Sequence, residues 1–260
     1  MTVWITGASS GIGEACAFEY ARKGERLILT SSSREGLAPV GEKCRRLGAA
    51  DIKLLPADLS RPELIEPLCR AAWAAFDGID IAFFNAGISQ RTCVEDTSTE
   101  MLRRLMEINF FAPAVMAREL LGPMTARGGG QMAVTTSIAG RFGFPLRCGY
   151  SASKHALYGF FETLQAEYAS KGIRVTLVCP GRICTPISLR ALDKGGVPHA
   201  QMDPGQATGL PAEAAARQIV RAIAKGRREV LVGQKELLMV YIKRFFPGLA
   251  ARLARRIAPC

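Results

Sequence analysis

Val3-Trp4-Ile5-Thr6-Gly7-Ala8-Ser9-Ser10-Gly11-Ile12-Gly13, running straight on into Glu14 to Lys23 and stopped by Gly24, decides the fold. Three apolar residues form a short strand. A glycine-rich turn follows, and the next ten residues suit a helix. Strand, turn and helix start together make an anion site, because the helix's first N–H groups and its dipole face the turn. Gly7 suits a tight turn, Gly11 a close approach of backbone to a pyrophosphate, and Gly13 a helix packed closely on the sheet. The glycines are spaced GxxxGxG, not the GxGxxG of the common dinucleotide fingerprint.

Working outward, the same alternation repeats to residue 232. Leu27–Thr30, Ile52–Leu55, Ile79–Phe84, Gln131–Thr136, Val175–Val178 and Glu229–Val232 read as further strands, and helix-favouring runs separate them. The expected fold class is therefore α/β, a doubly wound parallel sheet of seven strands, the Rossmann arrangement. Helices are expected over 99–118, with Asn109 inside despite its poor propensity, and over 150–171, stopped by Gly172. Residues 182–210 carry Gly and Pro and little periodicity, and a loop that long in a compact domain is usually functional. Residues 1–233 read as one dinucleotide-binding and catalytic domain, and residues 234–260 as a basic amphipathic C-terminal extension.

Composition narrows the class further. The chain has 260 residues, 48% hydrophobic and 22% charged, enough to bury a full core. Eight Cys are scattered without a CxxC, and only His155 and His199 accompany them, so no metal site is expected and reduced, buried thiols are; Cys260 is expected to be exposed. No signal sequence and no long apolar span is found, which makes the cytoplasm the expected compartment. The net charge is +11, but residues 225–260 hold nine Lys/Arg against two Glu. That marks a basic tail, and no nucleic-acid motif accompanies it.

Strand ends carry the candidate site residues. After the second strand comes Ser31-Ser32-Ser33-Arg34, with no acid before Glu35. An acid there would suit the free ribose hydroxyl of NAD. Ser32 and Arg34 suit a 2′-phosphate, so NADP(H) is favoured over NAD(H). Asp58, after the third strand, suits an adenine amino group or a helix cap, although Ser60 is the better-placed cap. The fourth strand ends at Asn85-Ala86-Gly87 and the fifth at Ser137. Tyr150 and Lys154 stand four apart in a helix, on one face. An ammonium at about 4 Å is worth about 4 kcal/mol at an effective dielectric of about 20, enough to bring a phenol from about 10 towards neutrality.

TGASSGIG, Asn85-Ala86-Gly87, Asn109, Ser137, Tyr150-xxx-Lys154 and Pro180-Gly181, in that order, resemble the short-chain dehydrogenase/reductase family over about residues 1–233. The resemblance extends to its membrane-associated carbonyl and steroid reductase members. It implies that Tyr150 is the acid/base and that Lys154 lowers its pKa and holds the nicotinamide ribose. It implies that Ser137 orients the substrate oxygen and that Asn109 holds a water behind Lys154. Gly7, Ser9, Ser10, Gly11, Ile12 and Gly13 would border the pyrophosphate, Asp58 and Leu59 the adenine, and Asn85, Ala86 and Gly87 the ribose side. Pro180, Gly181, Ile183 and Thr185 would hold the nicotinamide end. NADP members often carry a basic residue where this chain has Ser10. A homodimer or homotetramer, paired through the helices of Asn109 and Tyr150, is also implied.

The expected reaction is hydride transfer between NADP(H) and a carbonyl or secondary alcohol, with an apolar or lipid-like substrate. Ile138, Phe142, Phe144, Leu146, Ile183, Ile187 and Leu189 would line its pocket, and Arg141, Arg147, Arg182 and His199 would meet any acid. The tail from Leu237 to Ile257, broken at Pro247, carries Leu237, Tyr241, Phe245, Leu249 and Leu253 near helical spacing among basic residues. Such a helix either lies in an anionic membrane surface, giving peripheral contact at its inner face, or packs on protein. Two other readings remain. One is a cofactor-sensing protein without turnover, and the other is a membrane-surface scaffold working through the tail. Neither needs Tyr150.

Overall fold

The computed structural model describes residues 1–255; Ile257 and Cys260, for which the sequence raised expectations, lie outside them. Seven strands make one parallel sheet: β1 (Thr2–Thr6), β2 (Arg26–Thr30), β3 (Asp51–Leu54), β4 (Ile81–Phe84), β5 (Gly130–Thr135), β6 (Ile173–Pro180) and, last in the chain, Glu229–Val232. Two short strands precede that last one, β7 (Ile183–Cys184) and β8 (Leu210–Pro211), so Glu229–Val232 is β9. The sheet order is β3-β2-β1-β4-β5-β6-β9. Strand order reverses between β1 and β4, which leaves a crevice at their C-terminal ends. This is the single-domain Rossmann sheet expected.

The helices are α1 (Gly11–Ala21), α2 (Arg34–Arg46), α3 (Ile65–Ala75), α4 (Thr99–Met106), α5 (Ala112–Ala126), α6 (Cys148–Tyr168), α7 (Pro204–Ala207), α8 (Ala212–Ala224), α9 (Leu238–Phe245) and α10 (Pro247–Ala254). One core lies between the sheet and α1, α2 and α8; the other lies between the sheet and α3, α5 and α6. Alternation along β1 feeds both. Val3 and Ile5 enter the first core and Trp4 the second, where its indole N–H donates to Thr30 Oγ1 at 3.0 Å.

The structure departs from the sequence reading in informative places. The helix expected over 99–118 is interrupted by a turn of π helix at Glu107–Phe111. The residue inserted there turns Asn109 into the protein, where it is 1% exposed. The 182–210 segment is not featureless, since it pairs β7 with β8 and includes α7. Ser60 caps no helix; its N–H and hydroxyl both donate to the Asp58 carboxylate, at 3.0 and 2.8 Å. Of the described cysteines, Cys16, Cys44, Cys69 and Cys179 are buried as expected, but Cys93 and Cys184 are exposed. Pro247 begins α10 rather than merely ending α9, a favoured position because its missing N–H is unpaired there anyway.

Candidate active site

The glycine turn leaves β1 at Gly7, whose φ of 67° is left-handed; a Cβ there would stand 2.8 Å from the Ala86 Cα. Gly13 packs α1 so close to the turn that an added Cβ would meet the Gly7 carbonyl and lie 2.6 Å from Asn85 Nδ2. Asn85 braces three strand ends. Its amide donates to Thr6 O at 3.2 Å, its N–H to Thr6 Oγ1 at 3.1 Å, and its carbonyl accepts from Thr135 Oγ1 at 3.0 Å. The mouth of the crevice is thus fixed by side chains at the ends of β1, β4 and β5.

A cleft of about 290 Å³ follows that mouth. Gly7, Ser9, Ser10, Gly11, Ile12, Ser32, Asp58, Leu59, Asn85, Ala86, Gly87, Tyr150, Lys154 and Thr185 all line it. The other residues singled out in the sequence lie elsewhere. Gly13 sits behind the turn. Arg34 is exposed at the first position of α2 and is not part of the lining. Ile183 is buried in β7 and Pro180 ends β6. Ser137 and Gly181 face a second, smaller cavity.

Lys154 is the most constrained group. It is 3% exposed, and its ammonium donates to the Thr135 carbonyl at 2.7 Å. Burial pulls its pKa from the ordinary 10.5 down to about 7. Gly87 leaves the room it needs, since a Cβ there would lie 3.3 Å from Nζ and 3.0 Å from Asn109 Oδ1. Asn109 accepts from Ile88 N–H at 2.9 Å and donates to Ile88 O and Ser153 Oγ, both at 3.0 Å. It therefore ties the loop after β4 to α6.

The surroundings of Tyr150 act on its phenol in two directions. Burial pushes its phenol above the ordinary value, while hydrogen bonding with Ser137 and then the charges of Arg147 and Arg91 pull the other way. The Lys154 ammonium is 5.9 Å from the ring centroid, aimed at Thr135, and half discharged by its own burial near pH 7. The phenol is thus protonated at neutral pH, set to donate a proton. Ser137, at the end of β5, accepts from Ala139 N–H at 3.1 Å and presents its hydroxyl beside that phenol.

Known proteins supply independent support. The profile of the short chain dehydrogenase family matches residues 1–194. The chain belongs to the short-chain dehydrogenase/reductase family. The bovine "Dehydrogenase/reductase SDR family member 7B" is 34% identical over 257 residues, which span 96% of this chain and 79% of that protein. The Drosophila melanogaster "Dehydrogenase/reductase SDR family protein 7-like" is 34% identical over 251 residues, 95% of this chain and 77% of that one. Among solved structures, a short chain dehydrogenase/reductase from Burkholderia phymatum in complex with NAD matches with a TM-score of 0.83 at 26% identity, covering 95% of this chain and 94% of its own. An alcohol dehydrogenase from the archaeon Thermococcus sibiricus complexed with 5-hydroxy-NADP matches with a TM-score of 0.76 at 25% identity, covering 90% and 96%.

The chain also has several lining residues that reading the sequence missed. Ile88, Ile108 and Pro186 give the cleft apolar walls. Arg190, 180 residues from Ser10, donates to the Ser10 hydroxyl at 3.2 Å and lines the same cleft. No local pattern marks it; only the fold of the 182–210 segment brings it there. Of the charged residues expected near substrate, Arg141 is taken by Glu229 at 2.5 Å and His199 by Asp193 at 3.0 Å.

Because the Lys154 pKa is depressed on folding, the unfolded chain binds a proton between about pH 7 and 10.5 that the folded chain has released. Stability therefore rises with pH through that window, and the full penalty, on the order of 5 kcal/mol, is present below pH 7. Lys154→Met removes the penalty but leaves the Thr135 carbonyl unpaired, at about 1–3 kcal/mol. Urea unfolding should find the variant more stable than the parent at pH 6 and less stable at pH 10.

Proposed function

We propose that the chain transfers hydride between NADP(H) and a carbonyl or secondary alcohol carried by a small-molecule substrate. The observation that carries this reading is that Tyr150 and Lys154 line a cleft that runs back to the glycine turn of β1, with Ser137 hydrogen-bonded to the Tyr150 phenol behind it. A nicotinamide cofactor, when bound, supplies or accepts the hydride. The residues present fit such a group. The glycine turn opens N–H groups at the start of α1, and Asp58, held below the ordinary carboxylate range chiefly by the Ser60 N–H, is an ionised acceptor at the end of β3. In reduction, the Tyr150 phenol donates its proton to the oxygen on which negative charge develops, and Ser137 donates a second hydrogen bond to it. Lys154, whose pKa burial brings down to about 7, would hold the ribose of the nicotinamide nucleotide beside Tyr150, and a proton from solvent would restore the phenol. Asn109 positions Lys154's surroundings through Ile88 and Ser153.

The preference for NADP(H) is supported by the Ser9, Ser10, Ser31 and Ser32 hydroxyls and by Arg190, with no carboxylate among them. Arg190 brings a guanidinium to the Ser10 position from a distant segment. A dimer or tetramer paired through the helices that carry Asn109 and Tyr150 is supported by the outward side chains of Leu102 in α4 and Phe111 in the π turn.

A second observation favours peripheral membrane contact. Leu237, Met239 and Val240 pack on the core, yet Leu238, Tyr241, Phe245, Phe246 and Leu249 face outward beside Lys243, Arg244 and Arg252. No helix among the described residues is long and apolar enough to cross a membrane. We read the outward face as lying in an anionic bilayer surface.

Tyr150→Phe should keep cofactor affinity, measured by fluorescence titration, and lose about 10²–10⁴-fold in turnover of a responsive carbonyl; undiminished turnover refutes the role. Arg190→Met should weaken NADPH at least tenfold while leaving NADH unchanged, and equal loss for both refutes the 2′-phosphate assignment. Phe245→Glu/Phe246→Glu should abolish co-sedimentation with phosphatidylserine vesicles, and unaltered sedimentation contradicts the surface reading.

A further inference from the structure

The first turn of a helix is its loosest part, because its leading N–H groups have no partner within the helix. Tyr150 stands in that turn, two residues after Cys148 begins α6. Lys154, one turn further in, is held on the Thr135 carbonyl. Tyr150 needs a separate hold, and the residue before the helix cannot give one, since an arginine side chain has no acceptor. Gln90 gives it from the loop after β4. Its side-chain carbonyl accepts from the Gly149 N–H at 2.9 Å and from the Tyr150 N–H at 3.2 Å.

The clamp is fixed at both ends. Gln90 is 0% exposed, and its amide nitrogen donates to Thr92 Oγ1 and Thr97 Oγ1, both at 2.7 Å. Only the oxygen of an amide can face two N–H groups, so these hydroxyls and the helix together leave it one orientation. Gly149 lets the carbonyl come near: a Cβ there would lie 3.1 Å from Gln90 Oε1 and 2.8 Å from methyl carbons of Leu102 and Leu105. The Gln90 main chain is tied as well. Leu192 N–H donates to the Ser89 carbonyl and Arg91 N–H to the Leu192 carbonyl, both at 2.8 Å, which pairs Gln90 with Leu192. Leu192 packs in the same buried cluster as Tyr150, and its segment sends Ile187 and Arg190 to the cleft wall. One residue therefore fastens the head of α6 by its side chain and the far wall of the cleft by its backbone.

We infer that Gln90 is a positioning residue for the acid/base: it holds the first turn of α6 so that the Tyr150 phenol keeps one place in the cleft. The inference rests on the hydride-transfer reading and adds to it the residue that sets its proton donor. Gln90 is absent from the cleft lining and acts only through the Gly149 and Tyr150 backbone. Its effect therefore falls on the chemical step, where a displacement of about 1 Å can cost about 100-fold, and not on the nucleotide held by the glycine turn. What the role requires is an acceptor oxygen at that distance. Filling the same volume with an apolar side chain leaves two N–H groups of a buried helix end unpartnered.

Three variants separate this role from the filling of space. Gln90→Leu keeps the volume and loses the acceptor, Gln90→Asn withdraws the acceptor by one methylene, and Gln90→Glu keeps it. Amide hydrogen exchange, followed by NMR on the cofactor-free protein, should quicken about tenfold or more at Gly149 and Tyr150 in Gln90→Leu and Gln90→Asn, and return towards the parent rate in Gln90→Glu. In turnover of a responsive carbonyl, kcat should fall about tenfold or more in the first two while the KM for NADPH stays within about threefold, and Gln90→Glu should recover most of the loss. If Gln90→Leu does not fold, Gln90→Asn against Gln90→Glu decides. Exchange is read without substrate, so it judges the clamp whether or not a given carbonyl reacts. Tyr150→Phe, which tests the hydride-transfer reading, should leave exchange at Gly149 unchanged, so the two claims fail separately. Parental exchange at both amides in Gln90→Asn, parental kcat in that variant, or an equal loss of kcat in Gln90→Asn and Gln90→Glu overturns the assignment.

Discussion

The arrangement depends on one costly act, the burial of a lysine ammonium against a single strand-end carbonyl. Lys154 reaches Thr135 O from α6 only because Gly87 has no side chain to block it and because β4 and β5 end side by side. Asn85 holds those ends together with that of β1. The π turn that carries Asn109 fixes the loop between Gly87 and α6. Each of these features is local, and none has a stabilising purpose sufficient to explain the buried charge. Residues held against their own stability are the ones to suspect of chemistry.

Burial acts on both members of the i, i+4 pair, in opposite senses of charge but the same sense of neutrality. It lowers the Lys154 pKa and raises that of Tyr150. The pair is therefore poised as a neutral phenol beside a group that titrates near pH 7, which suits proton donation in reduction better than an already ionised tyrosine would. The counterweight at Tyr150 comes from Ser137, Arg147 and Arg91. The same two arginines are braced by Asp203.

Much of this was legible from the chain alone, and the reasons are physical. Strands were read from short apolar runs, and all seven took their places because a buried parallel sheet demands such runs. The glycine turn was read because its spacing answers to backbone geometry, and the Tyr150–Lys154 pair because helical periodicity is local. What escaped was long-range or environmental. Arg190 meets Ser10 across 180 residues and Arg91 meets Asp203 across 112. The π turn at Asn109 inserts one residue into an otherwise helical pattern, and no composition signal marks it. The sign of the Tyr150 shift depended on how deeply the ring is buried and where the ammonium points, and spacing carries neither.

The most direct test of the account is titration of Lys154 itself. Heteronuclear NMR of ¹³Cε-labelled lysine in the cofactor-free protein, assigned with Lys154→Met, follows the side chain from pH 5 to 11. The account predicts a midpoint near 7, well separated from the other lysines. A midpoint at the ordinary 10.5 would mean that the ammonium is solvated, and would contradict the buried-charge account at its base.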